Sequence, residues 1–235
     1  MSTTIPITVD LAQASLRQLN QQLHAASAGS FTVVNPQGAH AVACGISTDI
    51  HVTVEGSVGY YCAGMHQQGS VMIQGNAGTG LAENMMSGTV RVTGSATMSA
   101  GATAQGGVLI VEGNAGARCG ISMKGVDIVV GGDIGHMSAF MAQSGNLLVL
   151  GDAAADLGDS IYEADIFVRG EVDSLGTDCV EKELRPEHQQ TIERLLAVAD
   201  LDQTASIDDF TRYGSARALY NFHIDDVDAE DQRNG

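Results

Sequence analysis

The feature that most constrains this chain is a five-residue pattern that recurs every 19 residues between positions 52 and 170. Each copy reads apolar, any residue, apolar, any residue, glycine, as in residues 52–56 and 71–75. Seven copies follow one another without an inserted or deleted residue, and a fixed period of this kind outweighs local propensity. The glycines that close the copies, called the ladder glycines below, are Gly56, Gly75, Gly94, Gly113, Gly132, Gly151 and Gly170.

The residues around each ladder glycine predict the shape of one repeat. Two apolar residues spaced two apart, many of them β-branched, are typical of a short strand with one buried face. A small polar residue follows the glycine in six copies, as a turn favours, whereas Glu171 follows in the last copy and fits less well. A second column of small residues lies seven positions after the glycines: Ala63, Ala82, Gly101, Gly120, Ala139 and Gly158.

If each repeat is one turn of a coil, every column stacks on itself at strand spacing, roughly 4.7–4.9 Å per turn. Aliphatic side chains such as Val111 then fill the interior, and outward side chains such as Glu112 tolerate substitution. Left-handed acyltransferase-type solenoids run on six-residue repeats, and 19 is not a multiple of six. We therefore predict an all-β fold, a right-handed single-stranded parallel β-helix of about seven 19-residue turns, in which each turn contacts only its neighbours.

The N-terminal part of the chain precedes the coil. Residues 1–30 are predicted to form an arm and a capping helix over residues 10–26, because Asp10 and Gln13 have the spacing of a capping box. The helix is expected to cover the open end of the coil, since natural solenoids cap an exposed strand edge. The parallel β-helix itself is assigned to residues 31–176.

Residues 177–235 are predicted to form a helix and an acidic tail. The helix, over residues 187–200, has a proline at a position that tolerates it, and it either packs on the outside of the coil or caps its far end. From residue 202 onward the sequence is acidic and irregular, and we expect its last ten residues to be solvated. Its candidate anchoring aromatic residues are Phe210, Tyr213, Tyr220 and Phe222.

The composition argues against several classes of partner. A formal net charge of −17 disfavours nucleic acid, whose phosphates require clustered Lys and Arg, and it disfavours anionic membrane surfaces. No apolar run reaches the length of a membrane span, and the N-terminus lacks a signal pattern. We therefore expect no nucleic-acid partner, no membrane association and a cytoplasmic location.

The four cysteines are predicted to be free, buried thiols. Cys62 and Cys119 fall in one column three turns apart, about 14 Å at strand spacing, which is too far for a disulfide. Cys44 and Cys179 are distant in sequence, and no C-x-x-C pair indicates a metal or redox site.

No residue set in the sequence has the pattern of an active site. The seven histidines, including His66 and His136, lack metal-ligand spacing, and the glycine-rich turns lack the Lys of a P-loop. Asp159, Tyr162 and Glu163 offer acid and base groups without a convergent nucleophile or basic group. We expect no catalytic residue, no metal and no cofactor in this chain.

Two sets of motifs carry a family resemblance. Residues 113–120 fit the G-x-x-G-x-x-x-G repeat of the C-terminal GXGXG β-helix domain of the glutamate synthase large subunit, and residues 56–59 and 75–78 fit its first half. The chain most resembles the stand-alone form of that domain, the small subunit of N-methylglutamate synthase (methylamine–glutamate N-methyltransferase), also described as a glx-type glutamate-synthase-like protein. That closer resemblance lies in residues 59–65, 82–88, 119–125, 135–141 and 213–217.

The resemblance implies a subunit without an active site of its own. In that family, a three-subunit assembly converts glutamate and methylamine into N-methylglutamate and ammonia. One implied partner is a glutamine-amidotransferase-like subunit with an N-terminal cysteine. The other is an FMN-dependent glutamate-synthase-like subunit, which holds FMN and an iron–sulfur cluster. We expect this chain to be a rigid scaffold that holds the two.

Two alternatives remain open from the sequence. The chain is also similar to β-helix subunits of other complexes, of the glutamate synthase or formylmethanofuran dehydrogenase type. It could instead be a solenoid that binds a sugar or another small molecule at an edge formed by Tyr60, Tyr61 and Tyr162.

The segments that connect the strands carry almost all residues capable of chemistry or docking. Seven of the nine methionines lie there, and adaptable thioethers serve either as interior filler or as a contact surface. We select ten subunit-interface candidates: Tyr60, Tyr61, Met65, Glu83, Asn84, Arg118, Lys124, His136, Phe140 and Tyr162.

Overall fold

The computed structural model describes residues 6–201 and 204–217, and these form a parallel β-solenoid of about seven turns flanked by two helices. One sheet of 11 strands runs along the coil in the order β1 to β9, then β11, then β10. The strands are β1 (Ile7–Asp10), β2 (Gly29–Val34), β3 (Ile50–Glu55), β4 (Ser70–Gln74), β5 (Thr89–Val92), β6 (Val108–Val111), β7 (Lys124–Val130), β8 (Ser144–Val149), β9 (Asp165–Val168), β10 (Cys179–Lys182) and β11 (Thr211–Ser215). The helices are α1 (Leu16–Ala25), α2 (Pro186–Val198) and a short 3-10 helix (Ile207–Asp209).

The predicted 19-residue register is confirmed along the coil. Val52 pairs with Val71, and Val71 pairs with Val90 in the next strand. A second line of parallel bridges, from Val58 through Ala77 to Val172, runs along another side of the coil. The inward aliphatic residues are buried; Val111, for example, is fully inaccessible to solvent. The lumen is therefore a continuous stack of aliphatic columns.

The ladder glycines are required mainly because successive turns approach each other closely. A Cβ on Gly75 would lie 2.7 Å from the carbonyl carbon of Gly56, a distance that no side chain tolerates. The backbone of this corner forms its own ladder, in which the N–H of Gly94 donates to the carbonyl of Gly75 at 2.9 Å. Glycine at this column thus permits the strand spacing that the other columns need.

The small polar residue after each ladder glycine forms a side-chain ladder. The backbone N–H of each such residue donates to the side-chain oxygen of the equivalent residue one turn earlier, as in Ser95 to Asn76 at 2.8 Å and Asp133 to Asn114 at 2.9 Å. Glu171 ends the series: its N–H donates to Asp152. Because no further turn continues this ladder, the Glu171 side chain does not have to accept a backbone N–H. A longer side chain is therefore tolerated at this position.

The N-terminal helix exists, but its predicted start was wrong. α1 begins at Leu16, where the Oγ of Ser15 accepts the N–H of Gln18 at 3.3 Å and the Gln18 side chain accepts the N–H of Ser15 at 2.8 Å. Asp10 instead ends β1, which pairs in parallel with β2, and its carboxylate accepts from Asn35 and from Ala12. The apparent capping box therefore belongs to a turn between strand and helix.

The helix α1 covers the first turn of the coil, as predicted. Leu19 and Leu23 are fully buried in the main core. The side chain of Asn20 donates to the carbonyl of Ala41 at 2.9 Å and accepts the N–H of Ala43 at 3.1 Å. These bonds satisfy backbone groups at the end of the stack that have no preceding turn to pair with.

The helix α2 packs on the outside of the coil, which settles the alternative left open by the sequence. Its buried residues Ile192, Leu195 and Leu196 contact the outward column of the sheet, where apolar side chains form a second core. Arg194 donates to Asp127 at 2.7 Å and fixes one side of the helix. The outward column that it covers consists of Ile110, Val129, Leu148 and Phe167.

The segment after α2 is more ordered than the sequence predicted. β11 inserts antiparallel between β9 and β10, so the expectation of an irregular chain from residue 202 onward is wrong for residues 207–215. Phe210 is buried in the second core and Tyr213 packs on the main core. Tyr220, Phe222 and the last ten residues lie outside the described residues.

One outward position, Glu112, makes a contact that the sequence did not predict. Glu112 accepts from the Nε of Arg91 at 2.7 Å, and the same guanidinium binds Asp200 at 2.8 Å and the carbonyl of Ala199 at 3.1 Å. The Arg91 side chain is only 18% exposed, so Glu112 helps to neutralise a half-buried cation. Gln74 is exposed, so a substitution at Gln74 is the better control for an outward position.

Three substitutions test the assignment of inward and outward positions. Val111→Asp is expected to lose about 3 kcal/mol or more of unfolding free energy, because it buries an unpaired carboxylate in the lumen. Glu112→Lys is expected to lose about 1 kcal/mol, since it places a like charge beside Arg91. Gln74→Lys should change stability by less than about 0.5 kcal/mol. Urea unfolding measures the loss of unfolding free energy in each variant. Equal losses in all three variants would contradict the assignment of inward and outward positions.

Candidate functional site

The connecting segments have an unusual backbone that determines which side chains they expose. In every turn from residues 41–45 to 156–160, the first, third and fifth positions adopt left-handed φ values, such as 60° at Tyr61, 53° at Ala63 and 56° at Met65. Left-handed residues other than glycine are uncommon. They are stabilised here because their N–H groups bond to both neighbouring turns: Tyr61 to Thr79 at 2.8 Å and Ala63 to Val42 at 2.9 Å.

This backbone separates buried from exposed positions along one side of the coil. The middle left-handed residue is the small one that the sequence singled out, and Ala63 is fully buried. The residues on either side of it, such as Tyr61 and Met65, project into solvent. We call the outward surface of these segments the connecting face; it comprises the exposed residues of 59–67, 78–86, 97–105, 116–124, 135–143 and 154–162.

Five of the ten predicted interface residues lie together on the first two turns of the connecting face. Tyr60 stacks on His40 with ring centroids 4.5 Å apart and meets Tyr61 edge-on at 6.4 Å. An open groove of about 310 Å³ lies beside them. It is lined by Cys44, Tyr61, Gly64, Met65, Glu83 and Asn84.

Arg118 and Lys124 lie on one turn near the middle of the same face. Both side chains are exposed, and neither makes an ion pair or side-chain hydrogen bond with any described residue. Five of the other arginines form ion pairs, whereas Arg118 and Lys124 leave their charges free on this face. At about 4.8 Å per turn, Arg118 is about 14 Å from Tyr61, with which it shares a column.

The three remaining candidates are separate from this cluster. His136 lies 3.4 Å from the carboxylate of Asp156, and Phe140 is half-buried. Tyr162 lines a polar cavity of about 140 Å³ near the end of the coil, five turns or about 24 Å from Tyr61. The proposed binding edge of Tyr60, Tyr61 and Tyr162 is therefore not one site.

An acidic groove on another side of the coil was missed by the sequence reasoning. It measures about 510 Å³, but Asp133 and Asp152 each accept a backbone N–H from the next turn. Their structural role in the side-chain ladder therefore explains why these two carboxylates are present in the groove. The sequence signal was the change from Ser and Asn to Asp and Glu in this column, which places Asp133, Asp152 and Glu171 at one end of the coil, beside Asp173.

The titratable side chains of the described residues do not gather into a metal-binding group. Among residues 6–201 and 204–217, no group of three or more His, Cys, Asp or Glu side chains could hold a metal ion. Arg212 and Arg217, which line the cavity near Tyr162, are paired with Asp165 and Glu163 at 2.7 and 2.8 Å. In the same described ranges, no helix has the length and apolar character needed to cross a membrane.

The cysteines are free thiols, and three of them are buried as predicted. Burial raises the pKa of Cys119 and of Cys179 to about 12 and raises the pKa of Cys62 as well. Cys44 is half-exposed, contrary to the prediction, and its thiol donates to the carbonyl of Tyr61 at 2.7 Å. Because thiolates are the reactive form, the three buried thiols are unreactive at neutral pH.

His66 is a buried polar residue in the lumen. It is fully inaccessible to solvent, its Nε2 lies 3.2 Å from the carbonyl of Gly69, and its Nδ1 has no hydrogen-bond partner among the described residues. Burial lowers its pKa, because the charged imidazolium loses its hydration. Met85 and Met123 occupy the same column one and three turns later and are also fully buried.

Comparison with known proteins identifies one relative. No protein-family profile matches the sequence. The chain is 59% identical over 225 residues to a protein named GlxC from Rhizobium meliloti (strain 1021), and the alignment covers 94% of this chain and 98% of the relative. The match spans the coil and both flanking helices, so the two proteins correspond along almost their whole length.

The buried imidazole predicts a pH-dependent loss of stability. Its pKa is lowered in the folded state, so the unfolded chain binds the proton more tightly. Stability is therefore retained above about pH 6.5, the ordinary histidine pKa, and falls as the pH drops below it. His66→Met, which copies the residue at 85 and 123, should remove this contribution. Urea unfolding at pH 7.5 and pH 5.0 measures the difference.

The matched control for this prediction is His51→Met, because the His51 side chain is exposed and its ring bonds to the hydroxyl of Ser70. That control should lose as much stability on acidification as the wild type. An unchanged pH dependence in His66→Met would contradict the assignment of a buried neutral imidazole.

Proposed function

Because the chain belongs to the GlxC family, we propose that it is a non-catalytic scaffold subunit of a glutamate-synthase-like enzyme complex. The complex proposed is of the N-methylglutamate synthase type, in which methylamine replaces the amino group of glutamate. The products are N-methylglutamate and ammonia. The resemblance of the turn motifs to the glutamate synthase β-helix domain supports this assignment, and the near full-length relationship to GlxC is consistent with it.

The observation that carries the scaffold role is the unbroken stack of turns. Nine strands pair in parallel in sequence order from β1 to β9, and the connecting face exposes the side chains of Tyr60, Tyr61 and Met65. Each turn is bonded to its neighbours on every side, so the coil resists bending. A stiff rod suits a subunit that fixes the distance between two catalytic partners, because a displacement of about 1 Å at a reacting centre can slow a reaction 100-fold.

The chemistry of the complex is assigned to the other subunits. We propose a glutamine-amidotransferase-like partner and an FMN-dependent glutamate-synthase-like partner that holds FMN and an iron–sulfur cluster. Electron transfer and bond formation at the substrate nitrogen then take place in those chains, and this chain holds them in a fixed relation. The assembly is proposed to be cytoplasmic.

A second candidate function is favoured by the groove beside Tyr61. Its volume of about 310 Å³ is within the range of small-ligand sites, so a small-molecule-binding solenoid is the alternative. Calorimetry of the isolated chain with glutamate, methylamine and glutamine distinguishes the two functions. Heat that saturates with any one of them would favour the ligand-binding role over the scaffold role.

Reconstitution from purified subunits tests the scaffold proposal. Size-exclusion chromatography of this chain with the two proposed partners should give one complex that contains all three, and the complex should form N-methylglutamate from glutamate and methylamine. The two partners without this chain should form the product at least about 10-fold more slowly, because their sites are no longer held together.

Two controls make the reconstitution decisive. The chain alone should give no product, and Gln74→Lys, on the exposed sheet side, should support the full rate. Turnover by the isolated chain, or an undiminished rate from the two partners alone, would contradict the scaffold role.

A further inference from the structure

We propose that the connecting face docks a partner subunit through an apolar patch made of Tyr60, Tyr61, Met65, Met86 and Met98, with Arg118 and Lys124 as its charged rim. We call these seven residues the docking patch. The inference rests on the proposed function, because it assigns the surface through which the scaffold holds one of its partners. The partner surface that fits the patch is apolar at its centre and carries carboxylates opposite the two cations.

Exposed apolar side chains are concentrated on this face. Nine large hydrophobic residues are exposed in the described parts of the chain, and six of them lie on the connecting face. Tyr60, Tyr61 and Met65 are each at least half exposed. Aromatic residues, methionine and arginine are the types enriched at the centres of protein interfaces. An accumulation of this kind on one side of a rod marks a contact surface.

The charge distribution also indicates that the connecting face is a contact surface. The formal net charge of the chain is −17, yet the six connecting segments contain only two cations and three carboxylates, a net charge of −1. Interface centres are depleted of charged residues relative to the rest of a protein surface. The acidity that keeps this protein soluble is thus carried by its other surfaces.

The groove provides an anchor point within the patch. Tyr61 and Met65 form one wall, and Glu83 and Asn84 lie on the next turn. A volume of about 310 Å³ accommodates one large apolar side chain from a partner. Well-packed pockets that take up a large side chain are typical positions of strong binding contributions in an interface.

The rim cations disfavour a pairing of two copies of this chain through their connecting faces. Of the three carboxylates on the connecting face, Asp156 faces His136 at 3.4 Å, and Asp159 accepts from Ser160 at 2.7 Å. In such a pairing, only Glu83 is left for the two cations of the second copy. A partner that supplies its own carboxylates opposite Arg118 and Lys124 satisfies both.

Binding of patch variants to each purified partner subunit tests the proposal. The double variant Tyr61→Ala, Met65→Ala is expected to weaken the dissociation constant for one partner about 30-fold or more, as loss of two anchor residues does. The double variant Arg118→Glu, Lys124→Glu should weaken it at least about 10-fold, because each substitution sets a carboxylate against a carboxylate. Added salt should weaken wild-type binding and relieve part of the second defect.

Matched controls lie away from the patch. Val198→Ala removes an exposed apolar side chain from α2, and Arg17→Glu reverses an exposed cation on α1 that has no ion pair among the described residues. Both should bind as the wild type does. Thermal unfolding of every variant should match the wild type within a few degrees, because the substituted side chains are exposed.

Methionine oxidation provides a second readout that does not depend on substitution. Peroxide should oxidise Met65 and Met98 rapidly in the isolated chain and slowly in the complex, whereas Met85 and Met123, which are fully buried, should react slowly in both. Mass spectrometry of peptides measures all four rates. Protection of Met65 and Met98 on complex formation places the partner on the patch.

Each other outcome overturns a distinct statement. If the wild type binds a partner and the patch variants bind equally well, the docking patch is wrong and the scaffold role stands. If the wild type binds neither partner, the proposed function is wrong. If Met65 is protected in the isolated chain, and dilution or removal of residues 218–235 exposes it, the occupant is a second copy or the chain's own end, and the partner proposal is wrong.

Discussion

The hydrogen bonds between successive turns are the interaction on which the rest of this protein depends. They occur on the glycine corner, where Gly113 donates to Gly94 at 2.9 Å, and on the connecting side, where Gly101 donates to Leu81 at 2.8 Å. The main sheet forms the third set. Because most of these bonds join residues 18 to 21 apart in the sequence, only a constant turn length keeps all three sets in register. The invariant period of the sequence is the consequence.

The outward columns of the coil then determine what can cover each side. On the main sheet, the column that begins with Thr53, Met72 and Arg91 becomes apolar at Ile110, and α2 buries that apolar half. On the glycine corner, the side chains of the small polar column already accept hydrogen bonds from the backbone of the next turn. Among the surfaces of the described residues, the connecting face combines exposed tyrosines and methionines with two unpaired cations. These columns differ because the interior fixes only the inward positions.

The sequence was sufficient to predict the coil because its columns are periodic. The interior, the small-residue corner and both flanking helices follow from patterns that repeat or alternate. Elements that depend on a single contact were not predictable. The insertion of β11 depends on one antiparallel pairing of residues 211–215, and the start of α1 depends on whether Asp10 or Ser15 caps the helix. A pattern that fits both residues cannot decide between them.

The candidate site was predicted only in part, for a related reason. The ten interface candidates were selected by residue type on the connecting segments, and the structure brings five of them together around one groove. The left-handed backbone conformation at Tyr61 and Met65 could not be predicted from the sequence, because tyrosine and methionine rarely adopt it. The unpaired state of Arg118 and Lys124 depends equally on distances that no sequence pattern contains. The apolar outward column from Ile110 onward was a usable signal for the position of α2.

The most direct test of the stacked-turn account is the thermal unfolding of two deletion variants. Removal of residues 58–76 takes out one whole turn of 19 residues and joins Ser57 to Ala77 in register. Removal of residues 59–76 takes out one residue fewer and shifts every later column against the earlier ones. The account predicts one cooperative unfolding transition, at a lower temperature than the wild type, for the first variant and none for the second. Indistinguishable behaviour of the two variants would contradict it.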